Sequence, residues 1–127
     1  MKHITPETIR PPFANYAHGV EVPAGWRLLV LSGQLGIAPD DTIPAGAEAQ
    51  AARCFENIAA VLAQAGANMS AIVRLNAYVS GREHLAGYMA ARDRYVTDPA
   101  PASTLMVVSG FAREDFVVEV EALAAYP

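Results

Sequence analysis

The sequence predicts an α+β fold: one mixed sheet packed by two helices, in the order β-β-α-β-α-β-β. Three observations carry this. Residues 45–65 set apolar side chains at three- and four-residue steps, the period of an amphipathic helix. Ile72 to Ser80 and Phe116 to Ala124 instead alternate with the period of two that marks a strand. Helical stretches separate some strand-like runs and short turns separate others, so crossovers and hairpins are both expected.

In chain order, residues 6–15 are rich in Pro and polar groups and read as an irregular lead-in. Tyr16 to Val22 reads as a short strand, and Pro23-Ala24-Gly25 is turn chemistry. Arg27 to Ser32 reads as a buried strand that ends at Gly33, and residues 36–44, with Asp40-Asp41, as a loop. The stripe Ala51, Cys54, Phe55, Ile58, Val61, Leu62 and Ala65 defines the first helix. Gly66 stops it, because glycine enters the left-handed region without a Cβ penalty. Ile72 to Ser80 is a strand. A second helix spans about 83–96, with Leu85, Tyr88, Met89, Arg92 and Tyr95 near one face, and Asp98-Pro99 ends it. Ser103–Ser109 and Phe116–Ala124 complete the sheet, flanking a short polar turn. Two helices cover one sheet face, so the other needs a cover, and a partner subunit is the simplest.

Composition points the same way. The 127 residues suffice for one domain, 1–127, and not for two. Hydrophobic residues make up 53% and charged residues only 17%, which leaves surplus apolar surface for a subunit interface. Nine Lys+Arg against thirteen Asp+Glu give a net charge of -4, and without a basic run no nucleic-acid footprint is expected. The single Cys54 excludes an intrachain disulfide, and His3, His18 and His84 have no zinc spacing, so no metal is expected. The first six residues lack a secretory apolar core, and no apolar run approaches the roughly 20 residues that span a bilayer. The expectation is a soluble cytoplasmic protein with no membrane partner.

Candidate chemistry concentrates near the C-terminus. Glu119 and Glu121 share one face of a strand inside an apolar run, where a carboxylate is costly to bury without a partner. Either one of them orients water or moves a proton, or both sit on a solvated face. Ser103 and Thr104, after Pro99-Ala100-Pro101-Ala102, stand at a loop-to-strand junction and serve either as substrate ligands or as local backbone caps. Ser32-Gly33 allows close backbone approach to a ligand, or simply turns the chain. Tyr16 lines a pocket or a core edge. Arg92, the one charge on its helix face, either snorkels to water or binds an anion in a cleft. Cys54 lies in the helix stripe and reads as inert core.

Taken in order, Tyr16-Ala17-His18-Gly19-Val20, Val30-Leu31-Ser32-Gly33-Gln34, Ala65-Gly66-Ala67, Tyr95, Pro101-Ala102-Ser103-Thr104 and Val118-Glu119-Val120-Glu121-Ala122 resemble the YjgF/Rid family of imine and enamine deaminases. The resemblance implies a chorismate-mutase-like fold and a homotrimer with a small-molecule cleft at each subunit boundary. It implies hydrolysis of a 2-imino or enamine acid to keto acid and ammonia, with no cofactor. By position, Tyr16 matches the pocket tyrosine, Ser32 and Gly33 the pocket floor, and Glu119 the glutamate that places the attacking water. Thr104 falls where the family has a small thiol or hydroxyl.

The chain departs from the pattern at one place. Deaminating members carry Arg directly after Pro-Ala, where it grips the substrate carboxylate; here Ser103 follows, and the next arginine is Arg113. A hydrogen bond to a charged group contributes roughly 1.5–3 kcal/mol, so its loss costs about one to two orders of magnitude in binding or rate. Arg92, where the family often has a pocket Asn, is the sequence's candidate for the replacement cation. Two alternatives stand beside the deaminase: a non-catalytic trimer that binds or senses a carboxylate, and a catabolic deaminase for a larger unsaturated amino acid.

Overall fold

The computed structural model describes residues 1–127. Its strands are β1 (Lys2–Ile4), β2 (Gly19–Glu21), β3 (Arg27–Leu35), β4 (Ile72–Val79), β5 (Ala102–Val107) and β6 (Val118–Tyr126). Helix α1 (Ala47–Gln64) lies between β3 and β4, and α2 (Leu85–Tyr95) between β4 and β5. β1 pairs with β2 as a separate antiparallel ribbon, and the main sheet has the order β3-β6-β4-β5.

The expected α+β architecture is present, with two corrections. The last two strands do not form a hairpin. β5 runs parallel to β4, and β6 lies between β3 and β4, antiparallel to both. The reason lies in the connections and in burial. Helix α2 carries the chain from β4 to β5 as a crossover, which imposes parallel pairing. β6 buries Val118, Val120, Ala122 and Ala124 along its length and so belongs in the sheet's interior. The polar segment between β5 and β6 therefore passes across the end of β4, where Val108 N–H donates to Val79 O at 2.8 Å and Ser80 N–H to Val117 O at 3.1 Å. The second correction concerns the N-terminus. Lys2–Ile4, three residues with no legible alternation, pairs with only the Gly19–Glu21 part of the expected 16–22 strand.

Both helices pack on one sheet face. Phe55, Ile58, Leu62 and Cys54 of α1 and Tyr88 and Ala91 of α2 meet Leu31, Leu75, Ala77, Val79, Val118 and Val120. Phe55 stacks on Tyr95 with ring centroids 5.5 Å apart. Helix α1 ends as its glycine predicts: Gly66 takes φ 80°, its N–H donates to Ala63 O, and Ala67 N–H donates to Leu62 O.

The opposite sheet face is open. It presents Val30 beside Leu123 and Met106 beside Tyr78, with Leu28, Arg74, Asn76, Thr104, Glu119 and Glu121. Leu28, Val30 and Met106 are 61%, 72% and 52% exposed, the surplus apolar surface that composition anticipates. No helix is long and apolar enough to cross a membrane.

Candidate functional site

The candidate residues fall into two groups at different places on one chain. The first group lies at the outer edge of β5. The lead-in runs along this edge strand, held by Ala17 N–H donating to Pro101 O at 2.9 Å. Between lead-in, edge strand and α2 is a cleft of about 370 Å³ lined by Phe13, Ala14, Tyr16, Leu85, Met89, Arg92, Ser103, Thr104 and Leu105. Four of the six residues expected to bind substrate therefore meet here: Tyr16, Arg92, Ser103 and Thr104.

Three of the four are held by side-chain contacts. The Tyr16 hydroxyl accepts from Phe13 N–H at 3.2 Å and its ring stands edge-on to His18, whose Nε2 is 2.8 Å from Arg10 O. Arg92 reaches the cleft as an almost covered cation, 3% exposed. Its Nε and Nη2 both donate to Asp93 Oδ1, at 3.2 and 3.0 Å, and its guanidinium lies 5.9 Å from the Tyr88 ring. Thr104 Oγ1 accepts from Nη2 of Arg74 at 2.7 Å.

The second group is built on β3 and β6. Sequence reading ends the strand at Gly33, but it continues to Leu35 through a bulge at Ser32-Gly33, where the pairing register shifts between Leu31 and Gln34. An extra residue in one strand re-aims the side chains around it. The bulge leaves Gly33 facing the Glu119 side chain. A Cβ at position 33 would lie 2.9 Å from Glu119 Cδ and 3.1 Å from Cγ. Ser32 and Gly33 thus sit with Glu119 and away from the cleft.

The two carboxylates of β6 differ. Glu121 accepts from Asn76 Nδ2 at 3.2 Å and from the Tyr78 hydroxyl at 2.7 Å. That hydrogen bond to Glu121, with some burial, holds the Tyr78 phenol above its ordinary range. Glu119, opposite Tyr78 on the ladder, makes no side-chain hydrogen bond within the chain. Beneath it on the helix side, burial pushes the Cys54 thiol up to about 12, and the charge of Glu119 adds to the shift.

Arg74, Asn76 and Tyr78 were not singled out by sequence. They occur at every second position of β4, which places them together on the open face beside Glu119 and Glu121. The polar alternation within an otherwise apolar strand was the available signal. No group of three or more His, Cys, Asp or Glu side chains is arranged to hold a metal ion.

A four-stranded mixed sheet with two helices matches the architecture of the Rid proteins. The family described as endoribonuclease L-PSP matches residues 7–126, and the chain belongs to this YjgF/Rid family. It is similar to the protein DfrA of Myxococcus xanthus, 33% identical over 121 residues, covering 94% of this chain and 88% of DfrA. Among solved structures it is similar to YyfB of Yersinia pestis, a Rid-family protein, with 30% identity, a TM-score of 0.84 and 98% of both chains covered. It is also similar to RidA of an Antarctic Psychrobacter, with 25% identity, a TM-score of 0.74 and coverage of 99% of this chain and 100% of that one.

Proposed function

We propose that this protein hydrolyses the imine of a carboxylic acid, or the enamine that tautomerises to it, to a keto acid and ammonia. The reading rests on Glu119: a carboxylate on the sheet's open face, beside a glycine that gives it room, with no hydrogen-bond partner of its own in the chain. It has free lone pairs with which to hold a water.

The chemistry asks little more. Water adds to the electrophilic C=N carbon, passing a proton to Glu119. Glu119 returns that proton to the nitrogen, giving the neutral carbinolamine, which then expels ammonia as its hydroxyl proton passes to the departing nitrogen and its oxygen becomes the keto carbonyl. The cleft supplies binding: hydroxyls at Tyr16, Ser103 and Thr104, apolar contacts at Phe13, Leu85, Met89 and Leu105, and room beyond a three-carbon acid.

Glu119 does not line this cleft. β4 separates β6 from β5, and Glu119 lies opposite Tyr78 while Thr104 lies opposite Asn76. Two strand spacings are about 10 Å across the sheet, too far for one small substrate to reach comfortably from Thr104 to the carboxylate. The proposal therefore includes a homotrimer in which the cleft of one copy meets the Glu119 of the next, burying the apolar open face. An RNA substrate does not suit the acidic balance of the chain.

A second reading, binding without turnover, is favoured by Ser103 standing where deaminating relatives of the resemblance carry arginine. One assay separates the two. Imines generated from a panel of amino acids are trapped with semicarbazide, and hydrolysis lowers the trapped yield. The wild type lowers it and Glu119→Gln does not. Thermal stabilisation by carboxylic acids without any hydrolysis supports the binding module, and normal hydrolysis by Glu119→Gln overturns the role given to Glu119.

A further inference from the structure

We infer that Arg74 of one copy pairs with Glu121 of the next, so that the open sheet face is a docking surface for a second copy of this chain, keyed by a cation and an anion that the single chain keeps apart. This deepens the proposed function and rests on the homotrimer in it.

Three observations converge. First, the charges of this face are unspent. Strand alternation sets one cation on it, Arg74, and two anions, Glu119 and Glu121. The arginines that meet a carboxylate within the chain are Arg53, Arg92, Arg94 and Arg113, and their partners are Glu56, Asp93, Glu48 and Asp115. Neither Arg74 nor the two β6 carboxylates take part.

Second, Arg74 and Glu121 share a recess and make no bond across it. With Val30, Asn76 and Leu123 they line a hollow of about 230 Å³. Arg74 leans towards β5, where its Nη2 donates to Thr104 Oγ1 at 2.7 Å, and its other N–H groups make no side-chain bond. Glu121 accepts from both Asn76 and Tyr78 on Oε1, which leaves Oε2 without a partner in the chain. Glu119 is the poorer match, because it lies opposite Tyr78, two residues further along β6 from Arg74 than Glu121 does.

Third, the surroundings ask for a partner of matching charge. Leu28, Val30 and Met106 are exposed around the recess, so whatever covers them also takes Arg74 and Glu121 out of water. An ion covered without a counter-charge is strongly disfavoured. A lipid or an apolar helix brings neither charge, whereas a second copy brings both. The strand of Arg74 adjoins β5 and the strand of Glu121 adjoins β3, so the β5 side of one copy meets the β3 side of the next. Such a head-to-tail contact, repeated, closes a ring.

The test is sedimentation velocity on reversed-charge chains. Arg74→Glu carries only anions on this face and Glu121→Lys only cations. Each alone is expected to run as a single chain. Mixed, they assemble, and native mass spectrometry finds both chains in each assembly, because the pair forms between copies. Should a reversed chain lose its far-UV circular dichroism, the neutral variants Arg74→Gln and Glu121→Gln decide. Each weakens assembly at least about tenfold, and the double variant weakens it by less than the product of the two. The inference is overturned if the wild type runs as a single chain, if Arg74→Glu assembles like wild type, if the reversed chains stay apart when mixed, or if the neutral losses multiply. Imine turnover is read separately. Assembly through this pair without turnover keeps the inference and removes the hydrolase. Turnover by an assembly that Arg74→Glu leaves intact does the opposite.

Discussion

Gly33 on β3 and Glu119 on β6 compete for one volume: a side chain at position 33 would occupy the space that the Glu119 carboxyl group fills. Only the far end of a flexible side chain stands in the way, so Gly33→Ala moves Glu119 rather than the backbone. The variant is expected to keep its thermal midpoint within a few degrees and lose imine hydrolysis as severely as Glu119→Gln. The double variant should be no worse than either single one, because both act on one group. Additive losses in kcat would separate the two residues.

Gln50 is buried at 3% exposure and fully engaged. Its Nε2 donates to Asp115 O at 2.8 Å and Pro44 O at 3.1 Å, and its Oε1 accepts from Val117 N–H at 2.9 Å. It fastens the segment leading into β6 onto helix α1. Gln50→Leu leaves these backbone groups unpaired, and each such group costs about 1–3 kcal/mol when it stays buried. Denaturant unfolding should show a loss of about 3 kcal/mol in total. A loss under about 0.5 kcal/mol would mean that water takes over the bonds.

Cys54 should be chemically silent in the native protein. Its Sγ–H donates to Gln34 O at 3.1 Å, and burial, with Glu119 adding, raises the thiol from 9.0 to about 12. Since the unfolded chain releases this proton first, the contribution to stability is complete below pH 9.0 and is lost as pH climbs towards about 12. A disulfide reagent at neutral pH should modify the thiol only on unfolding, and Cys54→Ala should flatten the alkaline fall in stability. Rapid labelling of folded protein would contradict the packing.

Tyr78 donates to Glu121, so ionising the phenol would set two negative charges together. The folded phenol therefore titrates above its ordinary 10.0, and the stability it contributes is held below that pH and lost as pH rises through the raised value. Tyr88 and Tyr95 are also raised by burial, so phenolate absorbance should show one late-titrating tyrosine fewer in Tyr78→Phe, and one moved down in Glu121→Gln. No movement in Glu121→Gln would assign the shift to burial.

Much of this was legible in residue order. The α1 stripe and Gly66 fixed that helix to within two residues at each end, because amphipathic period and cap are local signals. The open face followed from counting apolar residues against the surface two helices can cover. Strand pairing was not legible. Val118 to Ala124 alternates identically whether β6 sits at an edge or between β3 and β4, and only the crossover through α2 decides. Of the site, Tyr16, Arg92, Ser103 and Thr104 share a cleft, while Ser32, Gly33 and Glu119 lie elsewhere on the sheet. Sequence spacing carries no record of that division, nor of the bulge at Ser32-Gly33. Arg74 escaped notice because its hydrogen-bond partner, Thr104, lies on a parallel strand 30 residues away.

Subunit complementation tests the central claim most directly. Glu119→Gln, which keeps an intact cleft, is co-expressed with Ser103→Phe, which fills the cleft and keeps Glu119. If each site joins the cleft of one copy to the carboxylate of the next, random mixing restores about a quarter of wild-type hydrolysis. Mixed assemblies as inactive as their parents would contradict the account and place both functions within a single chain.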